Sequence, residues 1–254
     1  MDQVIPERRY RKPPIIEAFC EIAFADSMWD ETIPGVFYEQ VKKDFPQKRP
    51  REIQQAEITF GPSEATAGVR RLPPRVLFVS DAKHRMIQVA KDLLVVNQLH
   101  PYPHFEEWEP EVFNALSIYR ELAQPKKVVH LGLRYVNRVV IPEASVKMED
   151  YFTIYPKLPL HLGNSHRSFL VQVEIPQPTE HTVVMTFGTA PLPNTNTVGQ
   201  AFMLDLYCIR KLDKFLDEEI IKKEIKQAHT SIITAFEDSI TDKLREKFEP
   251  EEQI

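Results

Sequence analysis

Two pairs of like charges sit four residues apart in strand-like runs: Glu17 and Glu21 within IIEAFCEIAFA, and Arg134 and Arg138 within VVHLGLRYVNRVVI. Side chains an even number of residues apart point to one face of a strand, so each run presents two charges side by side. Two chemistries suit this pattern. If the strands meet, Glu17 and Glu21 face Arg134 and Arg138, and the ion pairs fix their register even where they add little stability. Alternatively the arginines hold a phosphate or carboxylate, with Tyr135 and Asn137 adding hydrogen bonds. Glu17 or Glu21 would then serve as acid or base.

His229 is a second candidate. It lies beside the apolar stripe of a long C-terminal helix, two turns before Phe236, where it reads as a satisfied, partly buried histidine or as a ligand or base. The remaining histidine pairs, His100 with His104 and His161 with His166, lack metal-site spacing and have no cysteine nearby. No metal and no cofactor is therefore expected. The chain has no glycine-rich phosphate loop, nucleophile elbow or paired-histidine zinc motif, and its scarcity of glycine (7 residues) agrees with that.

Basic residues cluster in an N-terminal arm (Arg8, Arg9, Arg11, Lys12), in Lys48-Arg49-Pro50-Arg51, and around Arg70, Arg71 and Arg75. A net charge of −5 argues against a whole-protein pull on nucleic acid. The patches read as solvated surface or as local contacts to a phosphate backbone through Arg8, Arg9, Arg11, Lys12, Arg49 and Arg51. No run reaches the ~18 apolar residues of a membrane span. Cys20 and Cys208 sit in apolar runs, as buried thiols of a reducing cytoplasm would.

The elements that must position these residues follow from periodicity. Strands are expected at Ile15–Ala25, Arg51–Phe60, Val76–Ser80, across Arg85–Leu99, and at Val128–Ile141, Phe169–Ile175, Thr182–Phe187 and Ala201–Ile209. Gly61–Pro74 reads as a loop. Helices are expected from Pro34 to Phe45, from Glu109 to Ala123, briefly over Met148–Tyr155, and unbroken from Asp217 to Phe248.

A shift of 117 places Glu17–Phe24 over Arg134–Ile141, Ile53–Ile58 over Leu170–Ile175, Met86-Ile87 over Met203-Leu204, and Leu116 and Tyr119 over Ile233 and Phe236. The reading is an α+β protein: tandem duplicated β-α-β-β-β-α units, 1–125 and 126–254, forming a curved antiparallel sheet with helices on one face. The two units form one continuous domain. This element order resembles the saddle of the TATA-box-binding-protein-like fold; a helix-grip fold shares it.

PPIIEAFCEIAF (Pro13–Phe24), LLVVNQLHPYPHFEEW (Leu93–Trp108), LGLRYVNRVVIP (Leu131–Pro142) and AHTSIITAFEDSITDKL (Ala228–Leu244) together resemble a sporadically distributed prokaryotic family of similar length with PPIxEA and RYxNR motifs. The resemblance implies no particular activity. It marks Glu17, Arg134, Tyr135, Asn137, Arg138 and His229 as motif positions, and its patchy distribution suggests a defence or toxin–antitoxin setting. The expectation is thus a non-enzymatic binding protein with a protein partner or a second copy of itself. A nucleic-acid-associated protein and an enzyme acting on a phosphorylated small molecule are the alternatives.

Overall fold

The alternation of apolar residues in IIEAFCEIAFA makes a strand, β1 (Ile15–Ala25), whose Ala18, Cys20, Ile22 and Phe24 are buried while the residues between them are half-buried. The computed structural model of the protein describes residues 8–51, 54–60, 65–71, 74–159, 161, 167–194, 196–215 and 217–251, and no side chains within 51–73. After β1 come α1 (Ile33–Val41), β2 (Gln47–Arg51), β3 (Gln54–Phe60), β4 (Ala65–Arg71), β5 (Arg75–Val79), β6 (Arg85–Ala90), β7 (Leu93–Leu99) and α2 (Phe105–Ala123). The second half holds β8 (Lys127–Ile141), a 3-10 turn at Met148–Asp150, β9 (Leu170–Pro176), β10 (Thr182–Ala190), β11 (Gln200–Phe215), α3 (Glu218–Ser239) and α4 (Asp242–Lys247).

Nine strands form one open, curved antiparallel sheet in the order β2-β5-β6-β7-β1-β8-β11-β10-β9. The first strands of the two halves, β1 and β8, pair at its centre, so the sheet runs unbroken across residue 125. The helices share a single core with the inner face: Phe37 of α1 stacks on Phe78, Tyr119 of α2 stacks on Phe24, and Ile221, Ile225 and Ile232 of α3 belong to the same cluster. The α+β class and the curved antiparallel sheet with helices on one face are as expected.

From the central pair outward, each half runs first strand, last strand, then the two preceding strands in reverse. Residue by residue, the 117 shift does not follow this symmetry. Met86 lies on β6, separated from β1 by β7, whereas Met203 lies on β11, directly beside β8. The strand holding Ile58 belongs to a separate β3-β4 hairpin, whereas Ile175 lies on the sheet's edge strand. A gap-free shift cannot absorb the extra hairpin of the first half.

The other departures have local causes. The stretch expected as a loop at Gly61–Pro74 contains β4, which pairs with β3; its sequence ATAGVRR alternates only small residues and one valine, with a glycine between them, a weak strand signal. Of the expected strand Arg51–Phe60, residues Gln54–Phe60 form β3, while Arg51 ends a separate strand, β2, that sequence periodicity did not place. Pro50 sits in β2, an edge strand, where a missing N–H costs no ladder bond. Helix α2 starts four residues before Glu109, which puts Glu106 and Glu107 in its first turn at the positive end of the helix dipole. The long C-terminal helix is broken: Ile240 is extended and bridges to Phe152, and Thr241 caps α4 by accepting a hydrogen bond from the Leu244 N–H. No described helix is long and apolar enough to cross a membrane.

Candidate functional site

The central strand β8 places its side chains on two faces, and this divides the six residues singled out around it. His130, Arg134 and Arg138 point to the open face with Glu17, Phe19 and Glu21 of β1; Tyr135 and Asn137 point to the helix-covered face. Tyr135 and Asn137 therefore cannot add hydrogen bonds to an anion held by the arginines.

On the open face the expected Glu–Arg lock does not form. Opposite Glu17 is Val136, and opposite Glu21 is Gly132. Glu17 instead accepts a 2.8 Å hydrogen bond from Nδ2 of Asn97, whose Oδ1 accepts one from Gln88 Nε2. Arg134 makes a two-pronged pair with Asp205 on β11, its Nε donating to Oδ1 at 2.7 Å, and sits over the rings of Phe19 and Tyr207. Asp205 holds the Arg134 guanidinium above its ordinary pKa. Glu21 lies 3.5 Å from His130 Nε2, which is 3.1 Å from the Tyr207 hydroxyl. Arg138 has no carboxylate within 4 Å among the described residues, and its backbone N–H donates to Pro14. The charges of this face are thus mostly spent on neighbours in sequence-distant strands that the repeat did not identify.

Gly132 makes that arrangement possible. A Cβ there would lie 2.5 Å from the Tyr207 hydroxyl and 2.6 Å from its ring, so Tyr207 lies flat against the β8 backbone between Phe19 and Arg134. Gly132→Ala is expected to cost about 2 kcal/mol by overpacking, measured by urea unfolding, and Tyr207→Ala in the same chain should recover most of that penalty. Additive losses would show that the ring has somewhere else to go.

The inner face of β8 holds the stronger site. A cavity of about 300 Å³ lies between β8, α2, α3 and the N-terminal arm. Tyr135 and Asn137 form its floor, Phe105 and His229 one wall, and Ile233 and Phe236 another. Both Tyr135 and Asn137 are 2% exposed. The Tyr102 and Tyr135 hydroxyls are 2.8 Å apart, and the His229 ring stacks on Phe105 with centroids 4.0 Å apart. Asn137 Nδ2 donates to the Leu204 carbonyl on the adjoining strand at 3.1 Å. Its Oδ1 accepts no hydrogen bond from any described residue.

The arm closes the cavity. Arg11 and Lys12 N–H groups donate to Glu249 and Phe248 carbonyls, and the Glu251 N–H donates to Arg9. Tyr10 is buried against Phe236 and Phe248, with its hydroxyl donating to Glu237 Oε1 at 2.6 Å. The arm's cations each lie near a carboxylate of the same chain: Arg8 near Glu237 and Asp242, Arg9 near Glu106, Arg11 and Lys12 near Glu249. Arg49 bonds Gln47 on the exposed edge strand, and the side chain of Arg51, like those of Arg70 and Arg71, lies outside the described residues. His104 precedes α2 and lines the cavity, His100 and His161 are exposed, and His166 lies outside the described residues. No group of three or more His, Cys, Asp or Glu among the described residues is placed to hold a metal ion.

Sequence periodicity singled out three of the cavity's polar groups, Tyr135, Asn137 and His229. It missed Tyr10, Tyr102 and Glu237, whose only sequence signal is an aromatic within a basic arm, an aromatic between two prolines, and an acid beside the apolar stripe.

Burial lowers the His229 pKa to about 4, with Glu106 opposing weakly. The unfolded value is near 6.5, so below that pH the unfolded chain binds a proton that the folded chain refuses. Stability is unaffected above pH 6.5 and falls by about 3 kcal/mol as the pH drops to 4. His130 and His181 are shifted the same way by burial. A His229→Gln variant should therefore keep part of the acid sensitivity and lose the His229 share, read from urea midpoints at pH 7 and pH 4.5. An unchanged slope would show that His229 is solvated.

The chain is an α+β protein built on one nine-stranded sheet with a partly open cavity against its inner face. No protein-family model, curated protein or solved structure matches it.

Proposed function

We propose that the protein is a non-enzymatic binding protein and that the cavity over Tyr135 and Asn137 is its site. The observation that carries this is Asn137, a residue only 2% exposed that lines the cavity and whose carboxamide oxygen accepts no hydrogen bond from any described residue. A ligand that donates to this oxygen would gain a hydrogen bond in a largely apolar site, a contact whose net value is ~0.5–1.5 kcal/mol. Apolar walls with a few convergent polar groups are the usual make-up of a small-molecule pocket. The mirrored strand order supports descent from one duplicated unit. In that history the cavity belongs to the second half's strand and helix, closed by the first half's arm.

A catalytic reading has less support. Three of the cavity's acid or base groups are engaged: Glu237 by Tyr10 and Arg245, Glu106 by Arg9, and His229 by its stack on Phe105 in a site that holds it neutral. The nucleic-acid reading loses most of its charge to the carboxylates beside Arg8, Arg9, Arg11 and Lys12. It still predicts steeply salt-dependent binding to DNA or RNA.

Binding to the cavity is tested by screening a small-fragment mixture by protein-observed NMR against the native chain and Ile233→Trp. Ile233 lines the cavity and is only partly buried, so an indole there fills the space without disturbing the sheet. Fragment-induced shifts in the native chain and their loss in Ile233→Trp are expected. Equal shifts in both would place binding elsewhere.

A further inference from the structure

We propose that the cavity takes an uncharged molecule with a compact aromatic or alicyclic body and an N–H donor: an aromatic amide or an N–H heterocycle. This rests on the cavity being the binding site and names what it selects.

Charge excludes the alternatives. The one carboxylate deep in the lining, Glu237, is 3% exposed and has both oxygens engaged, Oε1 by the Tyr10 hydroxyl and Oε2 by Arg245 Nε at 2.7 Å. A cationic ligand would have to displace one of them. The cations of the lining, Arg8, Arg9 and Arg11, are at the rim with side chains 41%, 50% and 67% exposed, each within 4 Å of a carboxylate. An anionic ligand would have to compete with those carboxylates for the arginines, and a buried charge without a partner is strongly disfavoured. The floor itself is uncharged: two tyrosine hydroxyls and a carboxamide.

The carboxamide sets the polarity of the contact. Asn137 Nδ2 spends one of its two N–H bonds on the Leu204 carbonyl, which fixes the side-chain plane, while Oδ1 accepts from no described residue. An occupant that donates to Oδ1 supplies the partner the protein does not. Around it, Phe105, Ile232, Ile233 and Phe236 offer apolar surface, which rewards a hydrophobic body at ~25 cal/mol per Å² covered. A volume of about 300 Å³ is at the small end for ligand pockets, which favours a one- or two-ring molecule over a nucleotide or a peptide.

Three probes of nearly equal shape separate the classes: benzamide, benzoate and benzylammonium, titrated into the full chain at pH 7 and followed by NMR, with indole as a second N–H donor. Benzamide and indole are expected to bind at least tenfold more tightly than either charged probe. Asn137→Leu should remove that preference, and because the comparison is made first on the native chain it does not depend on the variant folding. Benzoate binding as well as benzamide would overturn the uncharged class while leaving the cavity as a binding site. Failure of all four probes, together with no fragment shifts at the cavity, would overturn both readings.

Discussion

Replacing Arg245 with alanine is expected to cost about 3–5 kcal/mol and to open the cavity. Glu237 is 3% exposed, and Arg245 is its cationic partner, with Nε donating to Oε2 at 2.7 Å and a further N–H donating to the Glu237 carbonyl. Arg8 lies 3.8 Å from the same carboxylate but is largely in solvent, where an ion pair contributes little. Truncating Arg245 leaves the carboxylate buried and unmatched, the situation in which losses of ~3–5 kcal/mol are seen. A protein's whole stability is ~5–15 kcal/mol, so the variant should show a markedly lower urea midpoint. Tyr10→Phe removes only a hydroxyl bond to the same group and should cost about 1–2 kcal/mol. Replacing Glu237 and Arg245 together by leucine should cost less than Arg245→Ala alone, because no charge is then left behind. A loss under 1 kcal/mol in Arg245→Ala would mean that water reaches Glu237. The functional consequence follows from position: Glu237 anchors Tyr10, and Tyr10 anchors the arm that walls the cavity.

The second large effect is expected at Gly199. Its φ is +123°, a backbone region that side-chain-bearing residues rarely adopt, and a Cβ there would lie 2.1 Å from the Ile141 carbonyl oxygen and 2.8 Å from Pro142 Cα. Both obstacles are backbone at the end of β8, so no side-chain rotation relieves them. Gly199→Val should cost about 3 kcal/mol or more. The strain falls where β11 begins to pair with β8, at Gln200 opposite Ile141. The same ladder carries Leu204 opposite Asn137, so the substitution should also weaken the Asn137–Leu204 hydrogen bond and with it fragment binding. A variant with native stability would show that the turn has a second conformation.

The proposals for function depend on which parts of the site sequence could reveal. Period-two patterning placed β1 at Ile15–Ala25 with Ala18, Cys20 and Ile22 on its buried face, because an amphipathic strand must turn every second residue to the core. The same period, applied to Arg134, Tyr135, Asn137 and Arg138, separates them onto two faces. The grouping of all four into one anion site ignored it. His229 was visible as a polar residue beside an apolar helical stripe. That it stacks on Phe105, a residue 124 positions earlier in the chain and at the start of another helix, depends on how α2 and α3 cross the sheet.

The break at Ile240 shows the same limit. Ile232, Phe236, Ile240 and Leu244 keep helical spacing throughout, yet the helix ends because Ile240 bridges Phe152 and the Thr241 N–H donates to Tyr151. Those partners lie about ninety residues away, and no local propensity records them.

By itself the sequence determined the α+β class, the strands flanking the centre of the sheet, and the absence of the familiar catalytic motifs, since these rest on local periodicity and residue type. Tertiary structure alone decided what the charged residues do. Glu17 and Glu21 meet Asn97 and His130 instead of the arginines, Arg134 turns to Asp205, and the arm's cations fold back onto Glu106, Glu237 and Glu249. An ionic partner is chosen by distance in space, and each of these choices spans seventy residues or more. The uncharged floor of the cavity, with Asn137 in it, is what that sorting of charge leaves behind.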